Sequence, residues 1–378
     1  MQKHNHKMIT VVVNGKFHAF DYAAELYKKG LLDKLISTMP YSIAKKYGIP
    51  RKHYIGLPIF EVVKRSYRML LKKELPVNGY ANLFTKSVIP FIPKTSNVII
   101  SFAGYSKEIF EHSKFKNVTK ILDRGSTHTL ENIKLKQQAG EFHNFKYAKH
   151  PETFIEREIG EYNSADYILI PSSFVKRTFT KHGINNNKLI KIPYAFSTSR
   201  FKHINISKQR LTNKILFVGQ LSPRKGTGVL IQAIKEVQKE IPNIELWLVG
   251  ALQKGIDQSL LDEHFIKYFG ILRGQKLIEK YQEASLFCLP SFEEGLALVL
   301  TEAKYFNLPI IATPNTGIED LVDIDNIKYQ LFEAGNPLDL ASKIKQSLKT
   351  THESFQIKSI NHTWKDFTNQ LISEIQCH

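Results

Sequence analysis

Two cysteines in 378 residues, Cys288 and Cys377, leave no disulfide framework. That excludes a small secreted scaffold stapled by disulfides, and a reducing compartment is expected. Cys288 sits inside an apolar run and reads as core packing. Long hydrophobic runs are also missing: none approaches the roughly 18 residues of a membrane span. The run from Met8 to Val13 is too short for the apolar region of a signal peptide, and Met1 to Lys7 is polar, so no secretory leader is expected. Low-complexity segments are absent, and no repeat is evident beyond two αβ halves. These absences suit a cytoplasmic protein, soluble or peripheral on the inner face of the plasma membrane.

Acidic residues are scarce in one half only. Residues 1–200 hold 33 Lys and Arg against 15 Asp and Glu, while residues 201–378 hold 20 of each, so the whole net charge of +18 lies in the first half. A basic half suits an anionic partner, either nucleic acid or an anionic bilayer, or else is a solvated Lys-rich surface. Nucleic-acid binding calls for aromatic residues interleaved with basic ones. No such motif is present, and no nucleic-acid partner is expected.

What is there is enough for two domains, given the length and an apolar content of 42%. The chain is organised around residues 284–320. A buried strand, Leu286 to Leu289, runs into a Pro-Ser turn and then Glu293-Glu294-Gly295. A helix is predicted from about Leu296 to Phe306, then a strand from Pro309 to Thr313 and a turn at Gly317. This is a βαβ unit whose loop lies at the carboxyl end of a parallel strand, where open α/β sheets bind ligands.

The spacing in that unit suggests a chemistry. Gly295 lacks a Cβ, so a ligand can approach its backbone. The N–H groups of Gly295, Leu296 and Ala297 stand at a predicted helix N-terminus, which attracts phosphate. Glu294 and Glu302 are eight residues apart, roughly 12 Å if the segment were wholly helical. That is the reach from the sugar to the ribose of a sugar nucleotide; the plainer reading is two glutamates favoured by the helix dipole. A second strand-to-helix loop, Gly219 to Gly226 after the strand Lys214 to Val218, carries Arg224 and Lys225 and fits a diphosphate.

The run from Glu294 to Ala303, followed by Leu308 to Thr313, closely resembles the Glu-x7-Glu signature of glycosyltransferase family 4. The resemblance implies a retaining enzyme with the GT-B fold, an α/β architecture of two Rossmann-like domains facing a central cleft. Specific motifs cover residues 214–320, with weaker agreement from 8 to 195. The resemblance assigns the donor sugar to Glu294 and the ribose to Glu302. Where the family has an Arg, this chain has Gln220; Arg224 is expected to supply the missing cation beside Lys225. The loops at Gly250 and at Ile271 and Leu272 would flank the nucleotide base. Gly15, in the turn after the first strand, would face the cleft. A DRGSxH segment, Asp123 to His128, makes His128 the candidate at the reaction centre; His18 in the first loop is its rival. Glu156 or Glu158 would pair with cleft cations. The resemblance implies no cofactor beyond the nucleotide sugar and no metal, with Arg224 and Lys225 filling a metal's role. The acceptor would be a glycan or a lipid-linked sugar.

The implied boundaries are 1–196 for an acceptor-binding domain and 212–360 for a nucleotide-sugar domain. Residues 361–378 form an amphipathic helix crossing back to the first domain, and a linker covers Ser197 to Leu211. Ile59 to Leu75 reads as a basic amphipathic helix. It suits an anionic membrane, and equally an ordinary helix packing its apolar side on the domain. A nucleotide-sugar epimerase or a non-catalytic relative is the alternative to a transferase, and product identity discriminates them.

Overall fold

The structure is a computed structural model that describes residues 7–72, 75–196, 210–321, 329–350 and 362–377. It contains two wholly parallel sheets. The first has β1 (Ile9–Val13), β2 (Leu32–Ser37), β3 (Tyr54–Gly56), β4 (Val98–Phe102), β5 (Thr119–Asp123), β6 (Tyr167–Ile170) and β7 (Leu189–Lys191), in the order β3-β2-β1-β4-β5-β6-β7. The second has β8 (Lys214–Val218), β9 (Glu245–Val249), β10 (Ile266–Tyr268), β11 (Leu286–Leu289), β12 (Ile310–Ala312) and β13 (Tyr329–Leu331), in the order β10-β9-β8-β11-β12-β13.

The central strands are continuous apolar runs because helices cover both faces of each sheet. Every residue of β1 and β11 is buried. Both sheets are doubly wound, and the strand order turns back between β1 and β4 in one and between β8 and β11 in the other. Open α/β sheets leave a crevice at such a point, outside the carboxyl ends of the strands.

The helix Trp364–Cys377 packs on the first half: Phe367, Leu371 and Ile375 join the core formed by β1, β2 and the helix Ala19–Lys28. Lys7 Nζ donates to the Ile375 carbonyl at 2.7 Å. The linker expected at Ser197 to Leu211 lies outside the described residues except for its end. There Arg210 donates to the Phe306 and Asn307 carbonyls, both at 2.7 Å. The basic helix spans Ile59–Leu71 and stops at Lys72, which takes a left-handed conformation (φ 51°). Lys73 and Glu74 lie outside the described residues. Among the described residues, no helix is long and apolar enough to cross a membrane.

Candidate active site

The loop after β8 is built to hold two cations in place. Ser222 caps a short 3-10 turn, Pro223–Lys225, by accepting from the Lys225 N–H at 3.3 Å. The turn closes on Gly226 at φ 68°, where a Cβ would stand 2.0 Å from the Pro290 carbonyl oxygen. Only glycine lets this loop press so closely against the loop after β11. The pressing brings Arg224 and Lys225 onto the two glutamates. Lys225 Nζ pairs with Glu294 Oε1. Arg224 Nη1 lies 3.3 Å from Glu294 Oε2, 3.4 Å from Glu293 Oε2, and donates to the Glu293 carbonyl at 2.7 Å. Ser291 adds a hydrogen bond to Glu294 at 3.1 Å. Burial alone would raise the Glu294 pKa; Lys225 and Arg224 outweigh it and hold the carboxyl below its ordinary value.

Glu302 is also buried, and Tyr281 donates to it at 2.8 Å. The helix between the glutamates begins only at Leu298, so the segment from Glu294 to Glu302 is not helical throughout. The Ala297 N–H donates to the Thr316 carbonyl at 3.1 Å, which corrects its expected role as a phosphate donor. Gly295 needs its bare Cα for a different reason from the one expected. A Cβ there would stand 1.8 Å from the Gly125 carbonyl oxygen, so its close neighbour is the backbone of the other half rather than a ligand. Leu296 is buried beside it and packs toward Gly317.

The two halves meet across this region. Thr127 donates to Glu293 at 2.9 Å, Ser172 to the Gly295 carbonyl at 2.6 Å, and the Arg224 N–H to the Tyr147 hydroxyl at 2.9 Å. Between them lies a cleft of about 440 Å³, lined by Arg124, Lys136, His150, Arg224, Glu293 and Glu294 among others. Arg124 is clamped by Glu158, the pairing expected for that glutamate, and donates to the Thr127 carbonyl at 2.9 Å. Glu156 is exposed. Burial lowers the pKa of Lys136, and burial together with Lys136 lowers that of His150. Glu293 and Lys136 were not singled out from the sequence; the doubled glutamate before Gly295 was the available signal for the first.

His128 does not line the cleft, which corrects its expected place at the reaction centre. Its ring is buried, stacked on His182 with centroids 4.3 Å apart and packed against Tyr162 and Phe179. It caps the helix Thr129–Phe142, accepting from the Leu130 N–H at 3.4 Å. Burial, with His182 and Arg124 nearby, pushes its pKa down to about 3. The rival, His18, pairs with Asp123 at 2.9 Å. Gly15 takes φ 115° beside the Phe17 ring, and its carbonyl accepts from Ser37 at 2.7 Å. Gly219 and Gly250 abut: a Cβ on Gly250 would stand 1.8 Å from the Gly219 carbonyl oxygen. After β10, Ile271 is exposed and Leu272 packs on the second core. An Asp-x-Asp triplet, Asp323 to Asp325, is present in the chain and lies outside the described residues.

Residues 212–350 match the family described as "Glycosyl transferases group 1". The chain is 30% identical over 157 residues to an uncharacterized glycosyltransferase of Methanocaldococcus jannaschii, covering 41% of this chain and 43% of that protein. It is 29% identical over 197 residues to the Campylobacter jejuni GalNAc-alpha-(1->4)-GalNAc-alpha-(1->3)-diNAcBac-PP-undecaprenol alpha-1,4-N-acetyl-D-galactosaminyltransferase, covering 50% of this chain and 52% of that protein. The chain thus spans about half the length of the curated relatives it matches. Over 98% of its length it superposes on 95% of Anabaena HepE, solved with UDP and glucose, with a TM-score of 0.57 at 15% identity. With two parallel Rossmann-like sheets facing one cleft, the chain has the GT-B fold of glycosyltransferases.

Proposed function

We propose that the protein is a retaining glycosyltransferase of family 4, which moves a sugar from a nucleoside-diphosphate donor to a hydroxyl of a glycan or lipid-linked acceptor. One observation carries this reading: Arg224 and Lys225 face Glu293 and Glu294 at the switch point of the second sheet, where Arg224 and both glutamates line the cleft. In this reading the donor's diphosphate takes over Lys225 and Arg224 from Glu294, and Glu294 turns to the sugar hydroxyls. Charge pairing is kept throughout, so no buried ion is left alone. Glu302 holds the ribose, and the loops at Gly219, Gly250, Ile271 and Leu272 surround the nucleotide. As the bond from the anomeric carbon to the diphosphate breaks, its electron pair passes to the β-phosphate, where the two cations meet the growing charge. The acceptor oxygen bonds to the same face of the carbon and its proton goes to a leaving phosphate oxygen. Arg224 and Lys225 fill a metal's role, and transfer is expected to survive a chelator.

The partner named for the Campylobacter enzyme, a polyprenyl-diphosphate glycan, would bring such an acceptor to a membrane. In the helix Ile59–Leu71 the apolar side is not packed on the domain: Ile59, Val62, Met69 and Leu70 are 56–75% exposed, and only Phe60 is buried. Lys64, Arg65, Arg68 and Lys72 lie on the same segment. This face is read as resting on an anionic bilayer, cations among the headgroups and apolar residues just beneath.

The test is a thermal-shift panel of UDP-, GDP-, ADP- and dTDP-sugars. A donor that stabilises the protein is then incubated with polyprenyl-linked and free glycans and the products are assigned by NMR. A glycoside with the donor's anomeric configuration is expected. An inverted product removes the retaining mechanism, an epimerised nucleotide sugar makes the protein an epimerase, and no stabilisation by any donor overturns the reading.

A further inference from the structure

The loop that carries Arg224 and Lys225 does not satisfy its own backbone unaided. It passes from the 3-10 turn Pro223–Lys225 into the helix Thr227–Gln238 through Gly226, which stands at the N-cap and has no side chain to cap with. A helix start leaves N–H groups without intrahelical partners. The Lys225 N–H is taken by Ser222, within the loop. The N–H groups of Arg224 and Gly228 are taken by the first half. Arg224 donates to the Tyr147 hydroxyl at 2.9 Å, and Gly228 donates to Nε2 of His143 at 3.0 Å.

Both acceptors sit on one strap. The helix Thr129–Phe142 ends at His143, and Asn144 turns the chain at φ 48°, a left-handed conformation that asparagine tolerates. The Phe145 N–H then donates to the Gly140 carbonyl at 2.8 Å. Glycine is required at 140 for this reversal, because a Cβ there would run into the Phe145 carbonyl oxygen and press on the Tyr147 ring. His143 Nδ1 donates to the Ala139 carbonyl at 2.7 Å, which leaves Nε2 as the accepting nitrogen of a neutral ring. Burial lowers the pKa of that imidazole, in keeping with an uncharged acceptor. The fit is close: a Cβ on Gly228 would stand 2.7 Å from the ring. Phe142 and His143 also face Phe292, the residue before Glu293, with centroids 6.2 and 6.1 Å away. Phe292 in turn donates its N–H to the Arg224 carbonyl at 2.8 Å. The strap therefore meets both loops of the charge cluster.

We infer that His143 and Tyr147 are positioning residues for the donor: the first half holds the backbone of the second half's diphosphate loop, and so fixes where Arg224 and Lys225 present their charges. The inference rests on the reading of that loop as the diphosphate site. Neither residue touches the donor; each acts through a backbone N–H. A buried N–H that loses its acceptor favours another loop conformation, and a misplacement on the order of 1 Å is costly where charge must meet charge. The donor loop is then complete only while the two halves are in contact, so nucleotide binding and that contact reinforce each other.

The test uses single variants of the full chain. Tyr147→Phe deletes the hydroxyl and keeps the ring. His143→Leu removes the acceptor and keeps bulk. His143→Gln places an amide oxygen where Nε2 accepts. Affinity for UDP, GDP, ADP and dTDP is measured by calorimetry on folded protein, and hydrogen–deuterium exchange is followed across residues 221–230. Tyr147→Phe and His143→Leu should speed that exchange and weaken the nucleotide that binds wild type by about tenfold each, the effect of one N–H left without its partner. His143→Gln should restore both. Unchanged affinity in either Tyr147→Phe or His143→Leu overturns the inference, even with a lowered melting temperature, because that is what a merely structural contact would give. So does a loss in His143→Gln as large as in His143→Leu. If no nucleotide binds wild type, the donor reading fails and exchange decides alone. Faster exchange across 221–230 in Tyr147→Phe and His143→Leu would then keep the strap as what holds the loop, and unchanged exchange would overturn it.

Discussion

In the second sheet the strand order turns back between β8 and β11, and the loops there hold Arg224, Lys225, Glu293 and Glu294. In the first it turns back between β1 and β4, and the loops there hold Phe17, His18 and Phe102. The topology is shared and the chemistry is not. One crevice is a knot of four buried or half-buried charges that already neutralise each other. The other is a ring-lined corner with one His–Asp pair. The net charge divides the other way: the half with the charged knot is neutral overall, and the half with the aromatic corner carries the +18. On the proposed reading, local charge at a switch point would serve a small anion and the global charge of a half would serve an extended anionic surface.

The comparison breaks most visibly at the extended surface. Lys64, Arg65, Arg68, Lys72 and Lys73 changed together to Glu should abolish sedimentation with anionic vesicles, since each cation contributes up to about 1 kcal/mol near such a surface. Wild-type binding should require anionic lipid and weaken as salt rises. Nucleotide affinity should be untouched, because the charged knot is in the other half. Vesicle binding that ignores the five changes would move the contact elsewhere, and no binding at low salt would leave the basic half as plain solvation.

Within the knot, Lys225→Ala removes the cation that pairs with Glu294 and should weaken nucleotide binding by about 1.5–3 kcal/mol in calorimetry. Turnover should fall further, on the order of a hundredfold or more, because the charge Lys225 meets grows in the transition state. Unchanged affinity and turnover would take Lys225 out of the site.

The two carboxylates should then separate by role. Glu302→Ala should weaken free nucleoside diphosphate and sugar nucleotide alike, by about 1–2 kcal/mol. Glu294→Ala should spare the free diphosphate, or even tighten it by releasing Lys225, and weaken the sugar nucleotide. Equal losses for both ligands in both variants would defeat the assignment.

Much of the charged knot was legible because its signal is local. The apolar runs at Leu286 to Leu289 and Lys214 to Val218 mark buried strands, and Glu294, Arg224 and Lys225 follow them within a turn. What escaped depends on contacts between distant residues. Gly295 looks like a ligand-binding glycine until Gly125, 170 positions earlier, is seen against it. The helix Thr129–Phe142 has little apolar periodicity; it buries Glu131, Asn132 and Gly140, and Ala139 packs into the second core, so its faces are set by both halves rather than by one. The basic helix was legible as amphipathic, but the direction of its apolar face was not, since both packing and exposure suit the same spacing. Neither histidine named after a strand lines the cleft, and the pairing of His18 with Asp123, 105 residues on, leaves no local trace.

Those two histidines give the smallest effect and the sharpest contrast. His128 is buried neutral, with a pKa pushed down to about 3 by burial, by His182 and by Arg124. A base whose folded pKa lies below its unfolded value costs nothing above about pH 6.5. As pH falls from there toward 3 the unfolded chain takes up a proton that the folded chain refuses, and stability declines by at most about 1.4 kcal/mol per pH unit. His128→Asn keeps an acceptor at the helix N-cap, where asparagine is favoured, and removes the titration. The variant's melting temperature should therefore fall less than the wild type's between pH 6.5 and 4, with nucleotide affinity and turnover at pH 7 unchanged. Identical pH dependence in the two proteins would mean that His128 takes up its proton in the folded state. A large loss of turnover at pH 7 would return His128 to the reaction centre, against its placement between His182, Tyr162 and Phe179.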